Sequence, residues 1–393
     1  MLRAIAHALR HDRALQVAVL VALASRVGLF AFALYFPIAN ERGYGVSPVL
    51  APAYYDFAFY LESAARYVRA PGTLIAEFVR FYGDPWSVPL PSLVSGPVFP
   101  LLIALTGFST GNYLPLGLAY LALGCAIATV WLWWLREHAF SLPVLLLFAV
   151  LPNAIWFTLI VSTDLLFAAE FAIFYLAYFH SKPSRKTAAT WSIALVLMVL
   201  TRPNGFSVLL FVALDAAWSF LRERRIAPAR AIAILVLLVV SALYLYPYFV
   251  GEMRKASGTL QYFGRTPAEY AAGLLPWAPR VIDLALSWLA LLSAKLLYFA
   301  GLRPSYGVTA PLLVMLRALA GVLLLPGLLA LLARAPLRQR ALVALYCLPF
   351  LLGPSQDRYY LAIYPLLFIW GVWFFQGLYS RVRQLGRAAL GGT

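Results

Sequence analysis

The sequence predicts an all-α membrane protein, a polytopic bundle of transmembrane helices, and three observations lead there. The 393-residue chain is 63% hydrophobic and only 12% charged, with a mean hydropathy of +0.83. A soluble domain cannot bury that much apolar surface, so lipid must act as solvent for much of it. Long apolar runs also recur from end to end, many near the roughly 20 residues needed to cross a hydrocarbon core. Finally, the net charge of +16 is gathered in short segments between those runs.

The basic segments carry Arg3, Arg10 and Arg13; Lys182, Arg185 and Lys186; Arg222, Arg224, Arg225 and Arg230; Arg334, Arg338 and Arg340; and Arg381, Arg383 and Arg387. Short basic loops of this kind mark the cytoplasmic side. No basic stripe interleaved with aromatics suits nucleic acid, so topology and anionic headgroups account for the charge. Cys125 and Cys347 both lie in apolar runs without CxxC spacing and read as buried thiols.

Taken in order, the spans fall near 14–36, 113–135, 139–160, 164–180, 187–202, 205–221, 229–250, 309–333, 340–354 and 358–377. The first is too long, and lacks the small-residue cleavage site, for a secretory signal. Its Arg26 calls for a partner inside the bundle. Segments 37–112 and 251–308 remain on the outer side. Residues 283–300 are apolar enough to cross, but a crossing there would put the basic 334–340 loop outside. They are therefore read as an interfacial or re-entrant helix, giving about 10–11 membrane segments in all. The whole of 1–393 reads as one membrane domain with an elaborated outer face, both termini cytoplasmic.

The chemistry is expected on that face. In "APAYYDFAFYLESAARYV" (51–68), helical spacing aligns Asp56, Tyr60, Ser63 and Tyr67, and Glu62 sits four residues from Arg66, where the two can pair. The same stretch also suits a surface helix with tyrosines at headgroup level. In "IVSTDLLFAAEFAIFYLAYF" (160–179), Asp164 opens a span, with Ser162 or Thr163 as its cap. Glu170 lies deeper, where an ionisable group is costly. Asp56 and Asp164 converging at one face can hold a metal ion, or divide general-base and positioning roles.

"LTRPNGFSVLL" (200–210) reads as a tight turn between helices, with Arg202 and Asn204 at the outer surface. A guanidinium there is well shaped to grip a phosphate. "GPSQDRYYLAIYPLL" (353–367) opens the last span with Gln356, Asp357, Arg358 and Tyr359. Lys295 and Arg303 add cations to the same side. Arg202, Lys295 and Arg358 together suit an anionic lipid headgroup.

These pieces together resemble the type C glycosyltransferases (GT-C), multi-span enzymes that use lipid-phosphate-linked sugars. "GPVFPLLIALTGF" (96–108) looks like a segment of the GPI-anchor mannosyltransferases, and "TRPNG" is similar to their Arg-bearing turn. "STDLLF" and "QDRYYLAIYP" look more like the bacterial arm, which includes protein mannosyltransferases and the aminoarabinose transferase of lipid A. The family often has an acidic pair or Trp-Asp where this chain has Tyr55-Asp56, and a compact member without a large soluble domain after the last span is expected.

The resemblance implies a GT-C-like fold and a bacterial inner (plasma) membrane protein working on the outer, periplasmic side. It implies inverting transfer of a sugar, mannose or another hexose, from a polyprenyl-phosphate donor to a glycan, lipid or protein acceptor. Asp56 would be the general base, and Asp164 would orient the acceptor or share a divalent ion (Mg or Mn) with it. Arg202 and Arg358, with Lys295, would stabilise the departing phosphate. Asn204, Tyr359, Glu62 and Tyr60 complete the expected substrate site, and Tyr54, Tyr55 or Tyr60 would stack on the sugar. The rivals are a flippase or transporter for lipid-linked saccharides and a glycan polymerase. A transporter should show inverted repeats and a chain of ionisable groups mid-membrane, whereas here Arg26, Glu170, Asp215 and Arg317 are scattered.

Overall fold

The computed structural model describes residues 2–36, 38–39, 45–46, 57–84, 86–88, 96–106, 114–202, 204–223, 279–300, 302, 311–352 and 357–390, with scattered residues between 231 and 247. Among these the protein is helical, apart from a two-residue antiparallel pairing of β1 (Ile38–Ala39) with β2 (Gly45–Val46). Among the described residues three helices are long and apolar enough to cross a membrane: α2 (Arg13–Tyr35), the helix that begins at Leu114, and the helix that begins at Gly205. Asp56, Tyr54, Tyr55, Arg303, Gln356 and segment 251–278 lie outside the described residues.

A short helix α1 (Leu2–His11) precedes α2, and Asp12 separates them. Its extended backbone ends α1, while its carboxylate accepts from the Leu15 amide at 3.1 Å and so caps α2. The predicted outer segment carries α3 (Phe57–Arg69), α4 (Pro71–Gly83) and α5 (Val98–Leu105). The second long apolar helix is α6 (Leu114–Glu137).

The expected span at 139–160 is instead broken into α7 (Leu142–Ala149) and α8 (Pro152–Leu159). Pro152 has no amide hydrogen and occupies the first turn of α8, so no helix runs through the junction. Arg26 finds its partner there. Buried in α2, it donates to Ala22 O at 2.9 Å and to Ala149 O, the last residue of α7, at 3.3 Å. A cation at the carbonyl end of a broken helix meets both the orphan acceptor and the negative dipole end.

Helix α9 (Thr163–Tyr175) continues as a π-helical turn, Leu176–His180. It is buried on nearly every side, by α6, by α10 (Arg185–Thr201), and by a short 3-10 helix at Asp357–Ala362. α9 is the axis of the core. α10 opens with a capping box between Ser184 and Thr187 and ends before Pro203. The chain then runs into α11 (Gly205–Glu223).

The segment expected to lie in the interface forms α12 (Arg280–Phe299). α13 (Pro311–Arg334), α14 (Leu337–Leu352) and α15 (Tyr364–Leu390) complete the chain; α15 runs past the predicted end of the last span. α13 and α15 pack backbone to backbone. A Cβ on Gly327 would overlap Leu367 O, and one on Gly371 would overlap Leu323 O. Small residues at such crossings let helix backbones approach closely.

Polar groups at the ends of the bundle are tightly paired. Asp215 of α11 takes both prongs of Arg338 from α14 and the hydroxyl of Tyr178 at 2.5 Å. Asp12 receives Arg136 Nε from the end of α6 at 2.5 Å. That hydrogen-bonded guanidinium holds the Asp12 carboxyl below the usual carboxylate range, against the opposing effect of burial.

A lowered folded-state pKa stabilises the fold above the unfolded value of about 3.9, and the stabilisation is lost as pH falls through the lowered value. The difference in unfolding midpoint between wild type and Arg136→Gln should therefore be constant from neutrality down to mild acid and shrink only in strong acid. A difference that persists undiminished in strong acid would show that the pair contributes nothing through its charge.

Candidate functional site

The site forms where the first turn of α9 meets the α10–α11 turn and the 3-10 helix. Ser162 caps α9: its hydroxyl accepts from the Asp164 amide at 3.3 Å and donates to Asp164 Oδ2 at 3.1 Å. The Asp164 side chain is 3% exposed. Arg202 is the last residue before Pro203, and that position disfavours helical backbone. It adopts φ −150° and ψ 147°, ends α10, and directs its guanidinium onto Asp164 Oδ1. From the other side, Arg358 Nε approaches Asp164 Oδ2 at 3.5 Å.

Both arginines also lie over the ring of Tyr359, at 4.8 Å for Arg202 and 5.4 Å for Arg358. Tyr359 is held in turn. Its carbonyl accepts from Tyr346 Oη at 2.6 Å, and its ring stacks on Phe350 at 4.8 Å. Two guanidinium groups thus face one carboxylate beside an aromatic plane. Planar donors so arranged suit a phosphate oxygen.

A ladder of rings leads from this cluster to α3. The Tyr60 ring of α3 meets Phe99 edge-on at 4.8 Å, and Phe99 meets Tyr120 of α6 at 6.0 Å. The Tyr120 hydroxyl donates to the Ser162 carbonyl at 2.7 Å. Gly96, just before α5, presses on the backbone of the Arg202 segment: a methyl there would overlap the carbonyl oxygen of Leu200 and sit 2.9 Å from that of Thr201. Three segments distant in sequence, α3, residues 96–105 and the end of α10, therefore meet.

Gly96→Ala is expected to cost about 1–3 kcal/mol of stability, as overpacking against fixed backbone does. Denaturant unfolding in detergent measures it, and wild-type stability would mean that the two backbones do not touch.

The predicted site residues fall into three groups. Asp164, Arg202, Arg358 and Tyr359 are brought together. Tyr60 joins through Phe99 and Tyr120. Asn204 sits half-buried in the same turn, its carbonyl accepting from the Ser207 amide at 3.1 Å.

Glu62 is placed differently. It is exposed and pairs with Arg66 at 2.7 Å, as the spacing predicts, while Arg66 also reaches Glu77 of α4 at 2.9 Å. That three-membered network ties α3 to α4 and leaves Glu62 on the surface side. Lys295 is buried on α12, which packs against the 3-10 helix. One turn on, Phe299 meets Tyr360 edge-on at 6.2 Å. Asp56 lies outside the described residues; in sequence it directly precedes α3.

Glu170, noted for its depth, accepts from Thr201 Oγ1 at 2.7 Å, so a second bond from α9 fixes the residue next to Arg202. Tyr120, Tyr346 and Phe99 were not singled out as site residues from the sequence. Phe99 at least lies within "GPVFP"; the two tyrosines sit in apolar runs that offer no signal.

A divalent cation at Asp164 does not fit its surroundings. Both oxygens of that carboxylate face guanidinium groups, which would repel a metal ion, and Ser162 is the other partner of Oδ2. Among the described residues no group of three or more His, Cys, Asp or Glu side chains is placed to hold one.

No family model, curated protein or solved structure matches the chain. Function is therefore argued from the site.

Proposed function

We propose that the protein is a membrane glycosyltransferase that moves a sugar from a polyprenyl-phosphate donor to an acceptor at the outer membrane face, within a GT-C-like multi-span bundle. The observation that supports this reading is the convergence of Arg202 and Arg358 on Asp164 above Tyr359. A half-buried pair of arginines, in a chain with membrane-length apolar helices, suits a phosphate attached to a lipid. The neighbouring tyrosine and phenylalanine rings suit a sugar face.

In the proposed reaction the acceptor hydroxyl oxygen attacks the anomeric carbon while the bond from that carbon to the phosphate oxygen breaks, with inversion. Asp56 takes the hydroxyl proton. Arg202 and Arg358 meet the charge that grows on the departing polyprenyl phosphate, in a site where such donors act strongly. Asp164 lies between the two guanidiniums and positions them, a role different from the acceptor-orienting one expected from the sequence. No step runs through a metal.

The test is transfer of labelled sugar from a synthetic polyprenyl-phosphate hexose by the purified protein in lipid nanodiscs, against a panel of glycan, lipid and peptide acceptors. Movement of the intact donor across a vesicle membrane without transfer would replace this reading with a flippase. Growth of a chain from lipid-linked oligosaccharides would replace it with a polymerase.

A further inference from the structure

We propose that α1 is a preoriented docking surface for anionic phospholipid headgroups, held against the bundle where α2 enters the bilayer. This rests on α2 entering lipid and not on the transfer reaction.

The charge is one-sided. Arg3, His7 and Arg10 recur at helical spacing and are exposed, with the His11 ring tilted against that of His7 at 4.6 Å between centroids. On the opposite side Ile5 is buried and Ala8 and Leu9 are half-buried, against α2 and α6. The apolar face of α1 is thus already spent on protein, and the cationic face points away.

The orientation is built in by polar bonds. Gln16 Nε2 reaches back to the Leu9 carbonyl at 2.8 Å and closes the end of α1. Asp12 caps α2 and takes Arg136 from α6. The junction is therefore braced by both flanking helices and by a third.

The level of the lipid is marked on α2 itself. Arg13 is exposed, and the exposed apolar side begins with Val17 at 42% and Leu20 at 65%. At 1.5 Å per residue these lie only about 6 and 10 Å beyond Arg13. The basic face of α1 consequently lies at the boundary where apolar contact with lipid starts, which is where headgroup phosphates are. Arginine there is complementary to an anionic leaflet.

The experiment purifies the full chain from mixed vesicles of phosphatidylcholine and phosphatidylglycerol and measures the ratio of the two lipids retained, by native mass spectrometry. Wild type is expected to retain phosphatidylglycerol preferentially. Arg3→Gln and Arg10→Gln should each lower the preference about fivefold, the effect of one cation near an anionic surface. Unfolding midpoints in phosphatidylcholine alone should not move.

Asp12→Asn provides the sharper arm. It makes the protein more positive yet removes the brace to Arg136, while Asn still serves as a cap. Reduced preference supports a preoriented face; increased preference overturns it in favour of diffuse net charge. Unchanged lipid ratios in both arginine variants also overturn the proposal. Equal displacement of bound phosphatidylglycerol by inorganic phosphate would reassign the face to free phosphate and overturn the headgroup reading.

Discussion

Arg202→Ala is expected to lower sugar transfer by about 10²–10³-fold, the range seen when a preorganised donor to a developing negative charge is removed. Arg202 is 15% exposed and shares Asp164 with Arg358 above Tyr359. On the proposed mechanism its loss removes one of two donors to the leaving phosphate. The same change leaves a buried carboxylate with less compensation, which by itself destabilises a fold by up to several kcal/mol.

The double variant Arg202→Ala/Asp164→Asn separates the two effects. Neutralising the carboxylate should recover the unfolding midpoint but not transfer. Arg202→Lys should retain part of the activity, since an ammonium keeps the charge and loses the planar fork. Arg358→Ala should follow the same pattern. If donor binding and turnover stay at wild-type level in both alanine variants, the cluster is a structural ion pair and the proposed site is wrong.

Asp56→Asn should abolish transfer, by about two to four orders of magnitude, while leaving expression and membrane insertion intact. Asn is nearly the same size but has no free carboxylate oxygen to take a proton, and general-base catalysis is worth that much. Glu62→Gln makes the comparison. Glu62 is exposed and already engaged by Arg66, so neutralising it should be mild. Single-turnover transfer with matched amounts of protein and donor gives the answer. Near-normal turnover by Asp56→Asn would remove Asp56 as the base and return residues 51–68 to a tyrosine-belted surface helix.

Local signals in the chain were legible wherever one residue type dictates backbone geometry. Ser162 caps α9 because a short hydroxyl side chain can reach a free amide. Arg202 is extended because Pro203 follows it. Glu62 and Arg66 pair because four residues make one helical turn. The split of 139–160 was also written in Pro152, but the hydrophobic run around it masks a break that costs one amide hydrogen and changes no side chain's polarity.

Neither Gly96 nor Tyr120 could be assigned a role in the same way. Gly96 matters because a carbonyl more than 100 residues away lies where its Cβ would be. Tyr120 matters because its hydroxyl finds the Ser162 carbonyl.

By itself, then, the amino-acid sequence determined that this is a helical protein rich in apolar segments, where its positive charge collects, and where most of its helices start and stop. These are properties of neighbouring residues: hydropathy summed over a window, a cap three residues from its amide, a proline acting on the residue before it. Only the tertiary structure decided that the carboxylate of Asp164 meets Arg202 and Arg358, that Glu62 joins a surface network with Arg66 and Glu77, and that Tyr120 and Gly96 pack beside the Ser162 and Arg202 segments. Those outcomes depend on which helices touch. Burial makes an unpaired charge costly and steric overlap forbids a side chain, and both act between residues that no local pattern relates.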